Sequence, residues 1–255
     1  MHGKWLEGRH ALITGGGTGI GASTAAHLHA AGAKLSLLGR RMEPLERTAA
    51  IVSGTAIQCD VTDRDAIGRA FDEARAANGP IEMLIVNAGI GDSAPFGRTG
   101  RESWDRIIAV NLSAAFDCAQ LALDDLLAAK NGRLVFVASV AGLRGAPYAA
   151  PYSASKHGVV GLSSSLAAEF ARTNLTVNAV CPSFVDTPMV DETVARIARV
   201  SKRDEEQSRE AIKAMNKHGR LVHPDAVATM ILTLCLPQSR DVNGAAIPID
   251  GGTTA

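Results

Sequence analysis

The stretch Thr14-Gly15-Gly16-Gly17-Thr18-Gly19-Ile20-Gly21 constrains the fold of this chain more than any other. An apolar run, Ala11 to Ile13, precedes it, and an alanine-rich run from Ala22 to Ala31 follows, stopped by Gly32. That order predicts a short strand, a tight glycine turn and a helix beginning at Ala22. Glycines there let the backbone come close to a pyrophosphate, and helix N-terminal amides with their dipole favour that anion. The spacing is Gly-x3-Gly-x-Gly.

The rest of the chain repeats the same unit. Apolar strand-like runs lie at Lys34–Leu38, Thr55–Cys59, Met83–Val86, Leu134–Ala138, Val177–Cys181 and Ala246–Ile249. Helical patterns lie at Asp63–Ala77, with Asp63 as N-cap, and at Arg101–Lys130, Pro151–Thr173 and Pro224–Leu236. Alternation of this kind predicts an α/β chain, a doubly wound parallel sheet with helices on both faces. Ligands of such sheets bind beyond the strand carboxyl ends, where Gly15, Gly39, Asp60, Gly89, Ser139 and Pro182 fall.

Two further stretches carry chemistry. Gly39-Arg40-Arg41 follows the second strand, where an NAD-binding fold places an acid on the ribose 2′-OH; arginine suits a 2′-phosphate instead. NADP(H) is therefore expected ahead of NAD(H). Between Ser139 and Lys156, Tyr152 and Lys156 are four apart and share one helix face. An ammonium beside a phenol stabilises phenolate, so the Tyr152 pKa is expected to fall from about 10 toward neutrality. Such a phenol gives and takes a proton, and Ser139 can hydrogen-bond the same substrate oxygen.

Composition excludes other classes. With 26 basic and 26 acidic residues the formal charge is zero, which favours neither nucleic acid nor a membrane surface. Cys59, Cys118, Cys181 and Cys235 are widely separated in apolar runs, so buried free thiols are expected, with no metal site. No apolar run has signal-peptide or membrane-spanning length, and a cytoplasmic protein is expected.

Over nearly its full length the chain resembles the short-chain dehydrogenase/reductase family. The residues that carry the resemblance are Thr14-Gly-x3-Gly-x-Gly21, Asp60, Asn87-Ala88-Gly89, Asn111, Ser139, Tyr152-x3-Lys156 and Pro182 to Thr187. It implies one Rossmann-like domain over 1–255 with a seven-stranded parallel sheet, acting as an NAD(P)-dependent oxidoreductase of secondary alcohols and ketones. It implies Tyr152 as general acid/base, Ser139 as the residue orienting the carbonyl, and Lys156 on the nicotinamide ribose. Asn111 would support a water in a proton relay. The implied cofactor contacts are Gly15, Thr18, Gly19, Ile20, Gly21, Arg40, Arg41, Asp60, Val61, Asn87, Ala88, Gly89, Tyr152, Lys156, Pro182, Val185 and Thr187. Ser183 stands where the family pattern has a glycine, and Val86 where it has an asparagine.

Ala150–Gly161 and Val177–Met189 are similar to β-ketoacyl and polyketide ketoreductases, and 3-hydroxyacyl-CoA dehydrogenases are a further likeness. These imply a 3-oxoacyl or 3-hydroxyacyl thioester on coenzyme A or a carrier protein; another secondary alcohol used with NAD, or a nucleotide-sensing scaffold, are the alternatives. A substrate lid is expected at about 186–220. Its Arg196–Arg220 part carries eight basic and four acidic residues, which suits an anionic substrate, against a solvated helix with pairs such as Glu205–Arg209. His218 is expected to be exposed. Surplus apolar faces on Arg101–Lys130 and Pro151–Thr173 predict a homotetramer, or a dimer.

Overall fold

The computed structural model describes residues 4–201 and 204–255. Lys202 and Arg203, two of the basic residues counted in the lid, lie outside the described residues. The seven strands are β1 (His10–Thr14), β2 (Lys34–Gly39), β3 (Thr55–Gln58), β4 (Met83–Val86), β5 (Arg133–Val137), β6 (Thr176–Pro182) and β7 (Ala246–Ile249). They form one parallel sheet in the order β3-β2-β1-β4-β5-β6-β7. The order reverses between β1 and β4, so the loops leaving those strands diverge and open a crevice at their carboxyl ends.

The strands read as apolar runs because both faces are covered. One buried cluster includes Leu12, Phe71, Leu84, Leu134 and Val177, and the other Ile13, Leu28, Leu37, Ile85 and Val180. Adjacent residues of one strand, Leu12 and Ile13, enter opposite clusters, as strand alternation requires. The helices are α1 (Gly19–Ala30), α2 (Met42–Val52), α3 (Arg64–Asn78), α4 (Arg101–Ile108), α5 (Ala114–Leu121), α6 (Leu123–Ala128), α7 (Ala150–Glu169), α8 (Pro188–Ser201), α9 (Glu205–Lys213) and α10 (Pro224–Cys235).

Several boundaries differ from the sequence expectation. Helix α1 starts at Gly19, not Ala22, with Thr18 as its N-cap. Gly21 is tolerated in the first turn because nothing larger fits: a Cβ there would lie 2.1 Å from the Gly15 carbonyl oxygen. Asp63 does cap α3, accepting from the amides of Asp65 and Ala66 at 2.9 and 3.0 Å. The expected helix Arg101–Lys130 is not continuous. A π-helical turn at Ala109–Ser113 separates α4 from α5, and α6 follows a break at Ala122. Ser183 needs no left-handed backbone, since among the described residues only Ser53 and Tyr148 are non-glycines with positive φ. Serine is therefore compatible with the loop after β6.

The surplus apolar face expected on α7 is taken up by the core. Val159 and Ala167 are buried, and Val160, Leu162, Leu166 and Phe170 pack against the interior. What α7 turns outward is mostly small, Ala154, Gly161, Ser164, Ser165 and Ala168, with His157 and Glu169 the larger exposed residues. On the neighbouring α5, Phe116 is half exposed.

Candidate active site

Thr14 and Asn87 lock the two strands that flank the crevice. The buried Thr14 hydroxyl accepts from the amides of Asn87 and Ala88, both at 3.0 Å. The Asn87 side-chain amide donates to the carbonyls of Thr14 (2.9 Å) and Gly15 (3.1 Å). Asn87 thus braces the glycine turn, while Ala88 and Gly89 line the cleft beside it.

That cleft has a volume of about 500 Å³, and its walls include Gly15, Thr18, Arg40, Val61, Gly89 and Val110. A Cβ on Gly15 would meet the Asn87 amide at 2.8 Å, and Gly15 has φ +68. Gly15 is needed both for its backbone angle and for the space beside it. The cradle of backbone, the N-terminus of α1 and two open arginines fit a dinucleotide with its phosphates. Arg40 and Arg41 are exposed, and among the described residues neither has a carboxylate within 4.0 Å. Asp60 Oδ1 accepts from the Thr62 amide and hydroxyl at 2.9 and 2.8 Å, which holds its carboxyl below the usual range, with the Arg40 charge helping. Ile20 packs into the core under the turn. On the far side of the turn Thr187 comes close: a Cβ on Gly19 would be 3.0 Å from its methyl carbon. Val185 is buried and pairs in parallel with Val222.

Ser139, Tyr152, Lys156 and Asn111 meet at the other end of the crevice. Ser139 is buried at the end of β5; its Oγ accepts from the Ala141 amide at 3.1 Å and lies 3.4 Å from the Pro182 carbonyl, to which it donates. Lys156 is buried on α7 and its Nζ donates to the Val137 carbonyl at 2.8 Å. Burial pushes this ammonium down to about 8. Nζ stands 5.8 Å from the centre of the Tyr152 ring. Asn111 sits in the π-helical turn. Its Oδ1 accepts from the Ile90 amide at 2.8 Å, and its Nδ2 donates to the Ile90 carbonyl (3.0 Å) and Ser155 Oγ (3.1 Å). Ser155 Oγ in turn donates to the Tyr152 carbonyl at 2.8 Å. A Cβ on Gly89 would lie 3.3 Å from Asn111 Oδ1 and 3.5 Å from Lys156 Nζ, so Asn111 and Lys156 share a wall with the cleft that Gly89 lines.

One expectation is overturned in its sign. The Tyr152 pKa is raised, not lowered: desolvation is the larger effect, and the Ser139 hydroxyl acts against it without prevailing. The Lys156 charge is directed at Val137 rather than at the phenol. Sequence reading missed Val137 and Ser155 as site residues and gave Thr14 no role beyond starting the glycine turn. Only Ser155 had a signal, being three residues from Tyr152 on one helix face.

The lid differs from expectation as well. Counted over 186–220 it holds eight basic and seven acidic residues, because Asp186, Asp191 and Glu192 precede the basic part. Arg209 does not pair with Glu205; it bonds Asp186, at 3.3 Å, and Asp191. Arg196 is paired with Asp92, on the loop after β4. His218 is half buried, not exposed. Its Nδ1 accepts from the Arg220 amide at 3.2 Å, and its ring lies where a Cβ of Gly251 would have to go. The four cysteines are free and buried, and the described residues hold no group of three or more metal-ligating side chains.

The family model described as short chain dehydrogenase matches residues 9–198. The 3-oxoacyl-[acyl-carrier-protein] reductase MabA of Mycobacterium tuberculosis is 35% identical over 244 residues, covering 96% of this chain and 92% of that protein. A variant of actinorhodin polyketide ketoreductase, solved with NADPH, superposes with a TM-score of 0.92 at 33% identity, covering 96% of this chain and 97% of the other. Levodione reductase also gives a TM-score of 0.92, at 31% identity, covering 98% and 99%.

Proposed function

Because the chain belongs to the short chain dehydrogenase family of NAD(P)-dependent oxidoreductases, we propose that it reduces a ketone to a secondary alcohol with NADPH. The carrying observation is that Lys156, beside Asn111 and Gly89 on the wall of the dinucleotide cleft, stands 5.8 Å from the Tyr152 ring, whose phenol the Ser139 hydroxyl reaches. A nicotinamide held there would supply a hydride for the carbonyl carbon. Tyr152 gives its phenolic proton to the carbonyl oxygen, and Ser139 donates to the same oxygen. Lys156 would hold the nicotinamide ribose and steady the negative charge left on Tyr152. Asn111, through Ser155 and Ile90, fixes the start of α7 against the loop after β4. Burial keeps Tyr152 protonated near neutrality, which is the form that donates.

Arg40 and Arg41 at the cleft edge, with no acid ending β2, support NADP(H) over NAD(H). A 3-oxoacyl thioester on a carrier protein or coenzyme A is the substrate class that the MabA likeness supports; the levodione reductase likeness supports a ketone not held on a carrier as the second reading. The segment 186–220 serves as the lid over the substrate side, within one oxidoreductase domain spanning 1–255. Its near balance of charge and the pairing of Arg196 and Arg209 weigh against the lid as an electrostatic trap for coenzyme A. Four free thiols support a cytoplasmic setting, and among the described residues no helix is long and apolar enough to cross a membrane. The outward faces of α4, α5 and α7 serve subunit pairing in a homotetramer, with a dimer as the smaller assembly.

The test is ketone-dependent loss of reduced-nicotinamide absorbance with the purified protein. NADPH and NADH are each offered with acetoacetyl-CoA, free β-keto esters and cyclic ketones. Turnover of none of them with either nucleotide would refute the proposal.

A further inference from the structure

Tyr148 occupies a turn position suited to glycine. The Ala149 amide donates to the Ala146 carbonyl at 3.3 Å, closing the four-residue turn Ala146-Pro147-Tyr148-Ala149. Proline stands second, and Tyr148, third, has φ 62. A turn with proline second and positive φ third ordinarily takes glycine or asparagine there. Pro-Gly would follow the same path without strain. The other non-glycine with positive φ among the described residues, Ser53, is the C-cap of α2, where a left-handed residue is usual.

Packing does not account for the tyrosine, because its side chain is not in the core: the residue is 67% exposed. The turn does something else. The Tyr148 carbonyl accepts from the Ala94 amide at 2.8 Å, stitching the loop between Ser139 and Tyr152 to the loop after β4. Phe96, two residues past Ala94, is 81% exposed. Two of the ten aromatic residues in the chain therefore stand in solvent on two loops bonded to each other, both leaving strand ends at the candidate site. Neither Ser93–Gly97 nor Gly145–Pro151 contains a charged residue, so the stretches that carry the two rings are uncharged between the flanking Asp92, Arg98 and Arg144. Scattered surface aromatics need no explanation. An aromatic held outward by a strained turn, where glycine would serve the backbone better, points to use of the ring.

The geometry points to Tyr148 as a specificity-determining residue whose ring receives the flat apolar body of the ketone substrate, with Phe96 as the second aromatic of that rim. This rests on the ketoreductase reading above. It deepens that reading by assigning recognition to ring contact rather than to the phosphates or charge of a carrier.

The test compares wild type with Tyr148→Gly, Tyr148→Ala and Tyr148→Phe, using 2-tetralone as the bicyclic ketone and ethyl acetoacetate as the open-chain one. Tyr148→Gly and Tyr148→Ala should raise KM for 2-tetralone about tenfold, the scale of a lost aromatic contact, and leave ethyl acetoacetate within about twofold. The kcat for both ketones should hold, and Tyr148→Phe should retain the wild-type KM. Tyr148→Gly should melt no lower than wild type, because glycine suits the turn. Equal KM changes for both ketones, or no change for either, would overturn the assignment. So would a glycine variant that melts well below wild type, which would make Tyr148 structural. Calorimetric titration of 2-tetralone into NADPH-saturated protein reads the same contact without turnover. Weaker binding by the glycine variant supports the role; equal binding, or none by wild type, overturns it. Turnover of neither ketone by wild type is a failure of the redox reading, and the titration still decides Tyr148.

Discussion

Lys156 Nζ donates to the Val137 carbonyl at 2.8 Å, which ties helix α7 to strand β5 two residues before Ser139. The contact sets how far the Lys156 charge stands from the Tyr152 ring, 5.8 Å from Nζ to its centre. It also explains why the phenol of the free protein is not acidified: the cation faces a carbonyl, and burial acts on both groups.

Removing only the Tyr152 hydroxyl isolates the proton step. Tyr152→Phe should lower kcat for ketone reduction by at least ~10²-fold, the usual scale for a general acid. The Kd for NADPH should stay within about threefold. Retained turnover in steady-state assays would remove Tyr152 from the chemistry.

Lys156 provides a pH test with a defined sign. Its folded value is about 8 against 10.5 for an ordinary lysine, so between these the unfolded chain holds more protons than the folded one. Stability then rises with pH across that window, and the cost of the buried ammonium is fully present below about 8. Lys156→Met removes this cost at every pH. The stability advantage of the variant in urea melts should shrink between pH 7 and pH 9.5. An advantage that stays constant or grows would contradict the depressed value. Taking the difference removes the opposing contribution of Cys59 and Cys235, whose raised values destabilise the fold at alkaline pH.

Cofactor choice rests on the end of β2. Wild type should show the higher kcat/KM with NADPH. Gly39→Asp with Arg40→Ala supplies a 2′-OH acceptor, removes a phosphate partner and should reverse the order. The space exists, since the nearest atom to a Cβ on Gly39 would be 3.5 Å away, on Leu45. A wild type that prefers NADH would refute the assignment.

The Asn87 brace predicts a coupled loss. Asn87→Ala removes two donors, leaves the Thr14 and Gly15 carbonyls without that partner and should cost about 1–3 kcal/mol of stability. Dinucleotide affinity should fall with it, because the glycine turn loses its support. Unchanged NADPH titration together with an unchanged melting curve would show the brace to be idle.

Assembly is tested at Phe116, half exposed on α5, rather than at Leu166, which packs inward. Phe116→Glu should lower the sedimenting mass and reduce turnover, since α4, the π-helical turn and α7 hold Asn111, Tyr152 and Lys156. A fully active wild-type monomer at micromolar concentration would refute pairing through this face.

The alternation of strands and helices, the glycine turn before α1 and the sharing of one helix face by Tyr152 and Lys156 were legible in the sequence. Each depends on local periodicity or local backbone sterics: two-residue alternation, four-residue helical spacing, glycine where a side chain would collide. The same holds for the Asp63 cap and the four buried thiols. The direction of the Tyr152 shift, the partners of Arg196 and Arg209, and the role of Asn87 as a brace were decided by the tertiary structure. Desolvation depends on what covers a group from all sides, and ion pairs depend on which distant loops meet. Asp92 and Arg196 are 104 residues apart, so no local pattern relates them. The break in the helical region at Asn111 belongs with these: its sequence reads as continuous helix, and the wider turn coincides with the bonds from Asn111 to Ile90 and Ser155, neither of them a helix neighbour. Spacing along the chain determined which residues could share a face. Burial and long-range contact decided which charges they feel there.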